Sequence, residues 1–154
     1  MKILSEIEVR SQIKKYFKIQ ELVGKRTFSK HGERAWRFLD YRLLYALLII
    51  REGIDRPMTV NSGKRQQRGL RTIVQQMIKN YFYKDKLYLS AHLFGKAADF
   101  DVKGMSAKEV RMWILKNDEL FPFKIRLENK VSWLHIDVLW EEHNPKVYLF
   151  APPR

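Results

Sequence analysis

The residues in this chain best suited to chemistry are histidines set beside aspartates. His92 precedes Asp99 by seven positions in "HLFGKAAD", and His135 precedes Asp137 by two in "VSWLHIDVLW". The 154 residues include no cysteine, so a metal here must be held by nitrogen and oxygen alone. Gly95 permits a close turn between His92 and Asp99, and Ala97 and Ala98 leave little bulk around a small site. If the strand carrying His135 pairs beside the one carrying Asp99, then His92, Asp99 and His135 converge on one ion. Two imidazoles, one carboxylate and a water make a four-coordinate zinc centre. Taken singly, each residue has an ordinary explanation: a loop histidine, a turn-capping aspartate, a hydrogen-bonded core histidine. His31 and His143 lie in polar settings and read as solvent-facing or locally paired.

The elements that must position these residues follow from hydrophobic period. "SEIEVRSQIKKYF" predicts a short helix and "KIQELVG" a further turn closed by Gly24. Ala35, Trp36, Leu39, Leu43, Leu47 and Ile50 recur at helical spacing, predicting one helix from about His31 to Glu52 capped by Thr27 or Ser29. Leu70, Val74, Met77, Ile78 and Tyr81 form a second stripe after the polar loop "NSGKRQQRG". Ser106 with Glu109 forms a capping box opening a third helix that buries Val110, Trp113 and Ile114. "MTV", "AADFDV", "FKIRLE", "VSWLHIDVLW" and "KVYLF" read as extended segments, the third and fourth as a hairpin turning at Asn129 and Lys130. Helices first and strands later predict an α+β fold: a single domain over 1–154, with several N-terminal and peripheral helices packed on a small, mainly antiparallel sheet carrying the zinc site.

The formal charge of +13 suits an anionic partner, whether nucleic acid, a cell surface or a cell-wall polymer. The densest basic stretch is "SGKRQQRGLR", and no aromatic residues interleave with it as a base-stacking surface would require. "LLYALLII" is too short to span a bilayer and the N-terminus carries no signal-like run, so the chain reads as having no transmembrane segment and as cytoplasmic in the form encoded.

The segment "SAHLFGKAADFDVKG", followed by "WLHIDV", resembles the M15 family of zinc peptidases, particularly its small D-alanyl-D-alanine carboxypeptidase and cell-wall endopeptidase members. Ser90, His92, Gly95, Ala98, Asp99, Trp133 and His135 carry the resemblance, which covers about residues 17 to 139. It implies Zn2+ held by His92, Asp99 and His135, and hydrolysis of peptide bonds in peptidoglycan, reached at the wall through phage lysis or another route of release. Two acidic residues compete for general base. The family places its catalytic acid before the last metal histidine, which favours Glu128; Asp137 lies on the same strand face as His135 and can instead orient a ligand. Arg71 and Arg68 in "RGLR" are candidates to bind the substrate carboxylate, with Ser90 and Trp133 as further substrate-side residues. Two other functions remain open from sequence: a wall-binding protein without turnover, and a basic nucleic-acid-binding module.

Overall fold

The computed structural model describes residues 3–60, 69–71, 90–140, 142 and 145–151. Helix α1 (Glu6–Gln12) opens with a capping box between Ser5 and Glu8 and runs into a 3-10 turn at Ile13–Lys15. Short helices α2 (Ile19–Leu22) and α3 (Lys25–His31) follow. The single helix expected from His31 to Glu52 is broken in two. Gly32 takes a positive φ of 54° after α3, a 3-10 segment covers Gly32–Phe38, and α4 (Tyr41–Ile54) starts afresh from Asp40, whose carboxylate accepts from the Arg42 N–H. Thr27 and Ser29 lie inside α3 and cap nothing. The apolar spacing was nevertheless sound as a burial signal, since Ala35, Trp36, Leu39, Leu43, Leu47 and Ile50 are all buried. A helical stripe and a 3-10 stripe both bury every third or fourth residue, so periodicity does not detect the break.

In α4 every residue from Leu43 to Ile50 is buried. This all-round apolar helix is the spine of the core, and no helix among the described residues is long and apolar enough to cross a membrane. Helix α5 (Ala107–Lys116) begins at the Ser106–Glu109 capping box read from sequence and buries Val110 and Ile114. Its Trp113 ring lies where a Cβ at Gly53 of α4 would have to sit, 2.5 Å away. The stripe from Val74 to Tyr81 and residues 61–68 of the loop before it lie outside the described residues.

Five strands form one sheet in the order β1-β2-β4-β3-β5: β1 (Met58–Thr59), β2 (Ala97–Val102), β3 (Ile125–Glu128), β4 (Leu134–Asp137) and β5 (Val147–Phe150). Neighbours pair antiparallel except β3 with β5, which is parallel. The chain leaves β4, passes β3 and adds β5 on its far side, so the sheet is mixed. The fold is thus an α+β domain with several helices packed against a small sheet.

Strand alternation separates the faces. Ala98, Phe100, Ile125, Leu127, Leu134, Ile136 and Val147 enter the core. The opposite face carries the polar set. Asp99 is the register partner of His135, Ala97 of Asp137, and Arg126 of both Asp137 and Tyr148. Carrying the β3–β4 register one residue further sets Glu128 opposite His135.

Candidate metal centre

His92 enters the site from a 3-10 turn, Ala91–Phe94, between Arg71 and β2. Ser90 caps that turn by accepting from the His92 N–H at 3.4 Å. Gly95 closes it with φ 63°, in the left-handed region, where a Cβ would stand 1.8 Å from the Phe38 carbonyl oxygen. Only glycine fits both demands. The turn is also tied to the preceding chain, because the Asp40 N–H donates to the Gly95 carbonyl and the Arg71 N–H to that of His92.

Three side chains converge from these elements. His92, Asp99 and His135 are buried, and one ligand atom from each lies within 4.8 Å of the others. His135 Nδ1 is 2.6 Å from Asp99 Oδ1, and His92 Nε2 is 3.4 Å from the same oxygen.

The outward-facing nitrogens are each held. His92 Nδ1 lies 2.8 Å from the Gly69 carbonyl, which can only accept, so the proton belongs on Nδ1 and Nε2 offers its lone pair inward. Gly69 is pressed against Leu22, whose carbonyl oxygen would be 2.2 Å from a Cβ there. His135 Nε2 donates to Asp137 Oδ2 at 3.2 Å. Asp137 is fully buried and takes two further bonds from Arg126, at 2.8 and 3.0 Å, and one from the Leu139 N–H at 3.1 Å. Such outer partners fix the tautomer and aim of histidines that bind metals.

The titration behaviour follows from this packing. Burial is the main influence on His92 and pushes it below the ordinary imidazole value, against the pull of Asp99. Burial acts on Asp99 to raise its pKa, but the hydrogen bond from His135 and the positive charge of that imidazole prevail and hold it well below the usual carboxylate range. Asp137 is lowered in the same way, its burial overcome by His135 and Arg126. For His135, burial is again opposed by two carboxylates, Asp137 and Asp99, and its pKa is pushed up to about 9. A proton on Nδ1 therefore occupies the line between His135 and Asp99.

The donor set fits a small divalent cation. Bond lengths near 2.0–2.2 Å in a tetrahedron put ligand atoms about 3.3 Å apart. The His92–Asp99 separation already has that value, and a cation replacing the His135 proton needs the 2.6 Å pair to open by about 0.7 Å. The lone pair of a neutral His92 Nε2 meanwhile faces an anionic oxygen, an arrangement that a cation between them relieves. The chemistry available is that of a buried His-His-Asp metal site.

The other expected residues fall around it. Arg71 reaches both Ser90 Oγ and Asp99 Oδ2 at 3.5 Å and is mostly buried. Glu128 lies on the polar sheet face and is half-buried. Trp133 is 41 % exposed on the β3–β4 connection, where its carbonyl accepts from Arg111. Arg68 and His143 lie outside the described residues. His31 stacks edge-on against Phe38, away from the metal ligands.

Two contributors were not anticipated from sequence. Phe150 packs its ring edge-on against His135, with centroids 5.8 Å apart, and beneath the Arg126 guanidinium at 4.8 Å. Strand alternation in "KVYLF" puts Tyr148 and Phe150 on one face, but which face depends on the parallel pairing with β3. The Gly69 carbonyl, as a backbone group, left no side-chain signal at all.

Comparisons against protein-family models, curated proteins and solved structures found no match to this chain.

Proposed function

We propose that this protein is a zinc-dependent hydrolase of peptide bonds in peptidoglycan peptides, acting as a D-alanyl-D-alanine carboxypeptidase or a cell-wall endopeptidase. The observation that carries the reading is the buried convergence of His92, Asp99 and His135, each histidine held from behind by an acceptor. The "SAHLFGKAAD" and "WLHIDV" resemblance to M15 peptidases supports the choice of substrate, and the charge of +13 suits an anionic wall.

Zinc held there supplies a Lewis acid that polarises the scissile carbonyl and lowers the pKa of a coordinated water toward neutrality. The chain's own groups do the rest. Glu128, across from His135 on the open sheet face, accepts the proton of the attacking water and returns it to the departing amine. Asp137 is committed to Arg126, Leu139 and His135, and acts as a positioning residue that keeps the His135 proton on Nε2. Arg71 offers a cation beside Asp99 for the substrate carboxylate or for the oxyanion that develops on attack. Ser90 sets the His92 turn and steadies Arg71, Trp133 lines the approach of the substrate, and Arg68 is a second candidate for its carboxylate.

Mass analysis of defined peptidoglycan peptides, incubated with zinc-loaded protein, tests this reading. Zinc-dependent release of a terminal residue or an internal fragment is the expected result. Retention of wall fragments with no product would favour a binding protein, and stoichiometric zinc retained by both His92→Ala and Asp99→Ala would remove the proposed centre.

A further inference from the structure

We infer that an open cleft on the far side of the His92 turn is a second subsite, binding an oxyanion-bearing saccharide chain. The inference deepens the wall-hydrolase reading and rests on it for the source of the ligand. The cleft has a volume of about 540 Å³, and its lining includes Arg10, Arg37, Phe38, Asp40, Arg42 and Phe94. That size falls in the range of ligand-binding clefts.

Two observations make it more than a dent in the surface. Phe38 and Phe94 are 40 % and 49 % exposed in a concave setting, although apolar rings of that size are usually covered. Arg37 is exposed, and its guanidinium has no hydrogen-bond or ion-pair partner among the described residues. The other lining cations are already engaged: Arg10 with Glu6 and the carbonyls of Trp36 and Leu39, Arg42 with Asp40. The uncompensated charge of the cleft is therefore essentially that of Arg37, beside two aromatic faces.

This combination selects the ligand class. The C–H face of a pyranose ring packs on a phenyl face by dispersion and by contact of its C–H groups with the ring's negative quadrupole. A planar guanidinium pairs with a carboxylate or phosphate oxygen. One free cation among the described lining residues matches a chain with sparse charge better than a nucleic acid, which carries a phosphate at every nucleotide and calls for a track of free cations.

The cleft is coupled to the metal site by a single turn. His92 and Phe94 are two positions apart on the Ala91–Phe94 3-10 turn, where successive residues rotate by about 120°. One is buried among the metal ligands and the other faces the cleft. A saccharide seated on Phe94 is thus held against the element that presents His92.

The test is isothermal titration of the whole protein, with and without chelator, against three probes of matched charge. These are a glycan strand stripped of its peptides, a polyol-phosphate polymer, and a single-stranded oligodeoxynucleotide. We expect the glycan strand to bind, and the polyol phosphate, which has no pyranose face to set against Phe38 and Phe94, to bind at least tenfold more weakly. Arg37→Ala, at an exposed unpaired side chain that folding does not need, and a Phe38→Ala/Phe94→Ala double variant should each weaken binding tenfold or more. Unchanged affinity in both variants, no binding of the glycan strand, or tighter binding of the polyol phosphate or the oligonucleotide through the same residues would overturn the inference. Because binding is read without turnover, a protein that holds the glycan but cleaves nothing would refute the hydrolase reading and leave the subsite standing.

Discussion

Replacing Asp137 with asparagine should weaken zinc binding without emptying the site of ligands. Asp137 touches no metal; it holds His135 Nε2 at 3.2 Å while Arg126 and the Leu139 N–H take its remaining lone pairs. Loss of an outer-shell carboxylate typically costs ten- to a hundredfold in metal affinity, or about 1.4–2.7 kcal/mol. The long His135 contact, against the 2.8 and 3.0 Å bonds to Arg126, places the expected loss at the lower end, about ten- to thirtyfold. Asparagine retains the shape and one acceptor, so the fold survives. Asp137→Ala should instead cost folding stability, because it strands the Leu139 N–H and the Arg126 charge. Breaking a buried pair costs about 3–5 kcal/mol, reduced here to about 2 because Arg126 is 18 % exposed and rests on Phe150. Competition with a chromophoric chelator at fixed pH measures the affinity, and thermal melts in excess chelator measure the stability separately. A natively folded Asp137→Asn protein that binds zinc within twofold of the parent would refute the claim that Asp137 works through His135.

Glu128→Gln should leave zinc stoichiometry intact and cut kcat on a cleavable peptide by about a hundredfold or more, the usual range for loss of a general base; equal turnover would exclude Glu128 from proton transfer. Gly95→Ala must both hold a positive φ and push a Cβ against the Phe38 carbonyl, so urea unfolding should show a loss of about 2 kcal/mol or more, together with weaker zinc binding. The metal-free protein should lose stability as pH rises toward and through about 9. His135 is raised in the fold, so its contribution is complete below its ordinary value of 6.5 and disappears as the folded group deprotonates. Asp99 and Asp137, depressed in the fold, contribute stability above their ordinary value of 3.8 that is lost as pH falls through their lowered pKa values. Zinc must displace the His135 proton, so its affinity should climb with pH up to about 9; an affinity independent of pH between 6 and 8 would contradict a proton between His135 and Asp99.

Much of this protein was legible in local sequence because local physics decided it. Ser106 and Glu109 meet within one helical turn, so the capping box is complete before any tertiary contact forms. Alternation put His135 with Asp137 and Arg126 with Glu128, since a strand sends every second side chain the same way. Gly95 marked the close turn that the left-handed φ confirms. The helix expected across 31–52 went wrong because burial period alone does not distinguish one helix from a 3-10 segment and a restart at Asp40.

What sequence could offer for the site was a set of ligand types and a condition, that the strands of Asp99 and His135 be neighbours. The tertiary fold met the condition by making those two residues direct register partners, a long-range pairing that spacing along the chain does not encode. It also decided which nitrogen of each histidine looks inward, because the Gly69 carbonyl and Asp137 claim the other one. The parallel seat of β5, which brings Phe150 to His135 and Arg126, depended on where the chain returned after β4. Residue type and alternation determined the ligands on offer; the pairing of distant strands and the backbone behind them determined how those ligands are aimed.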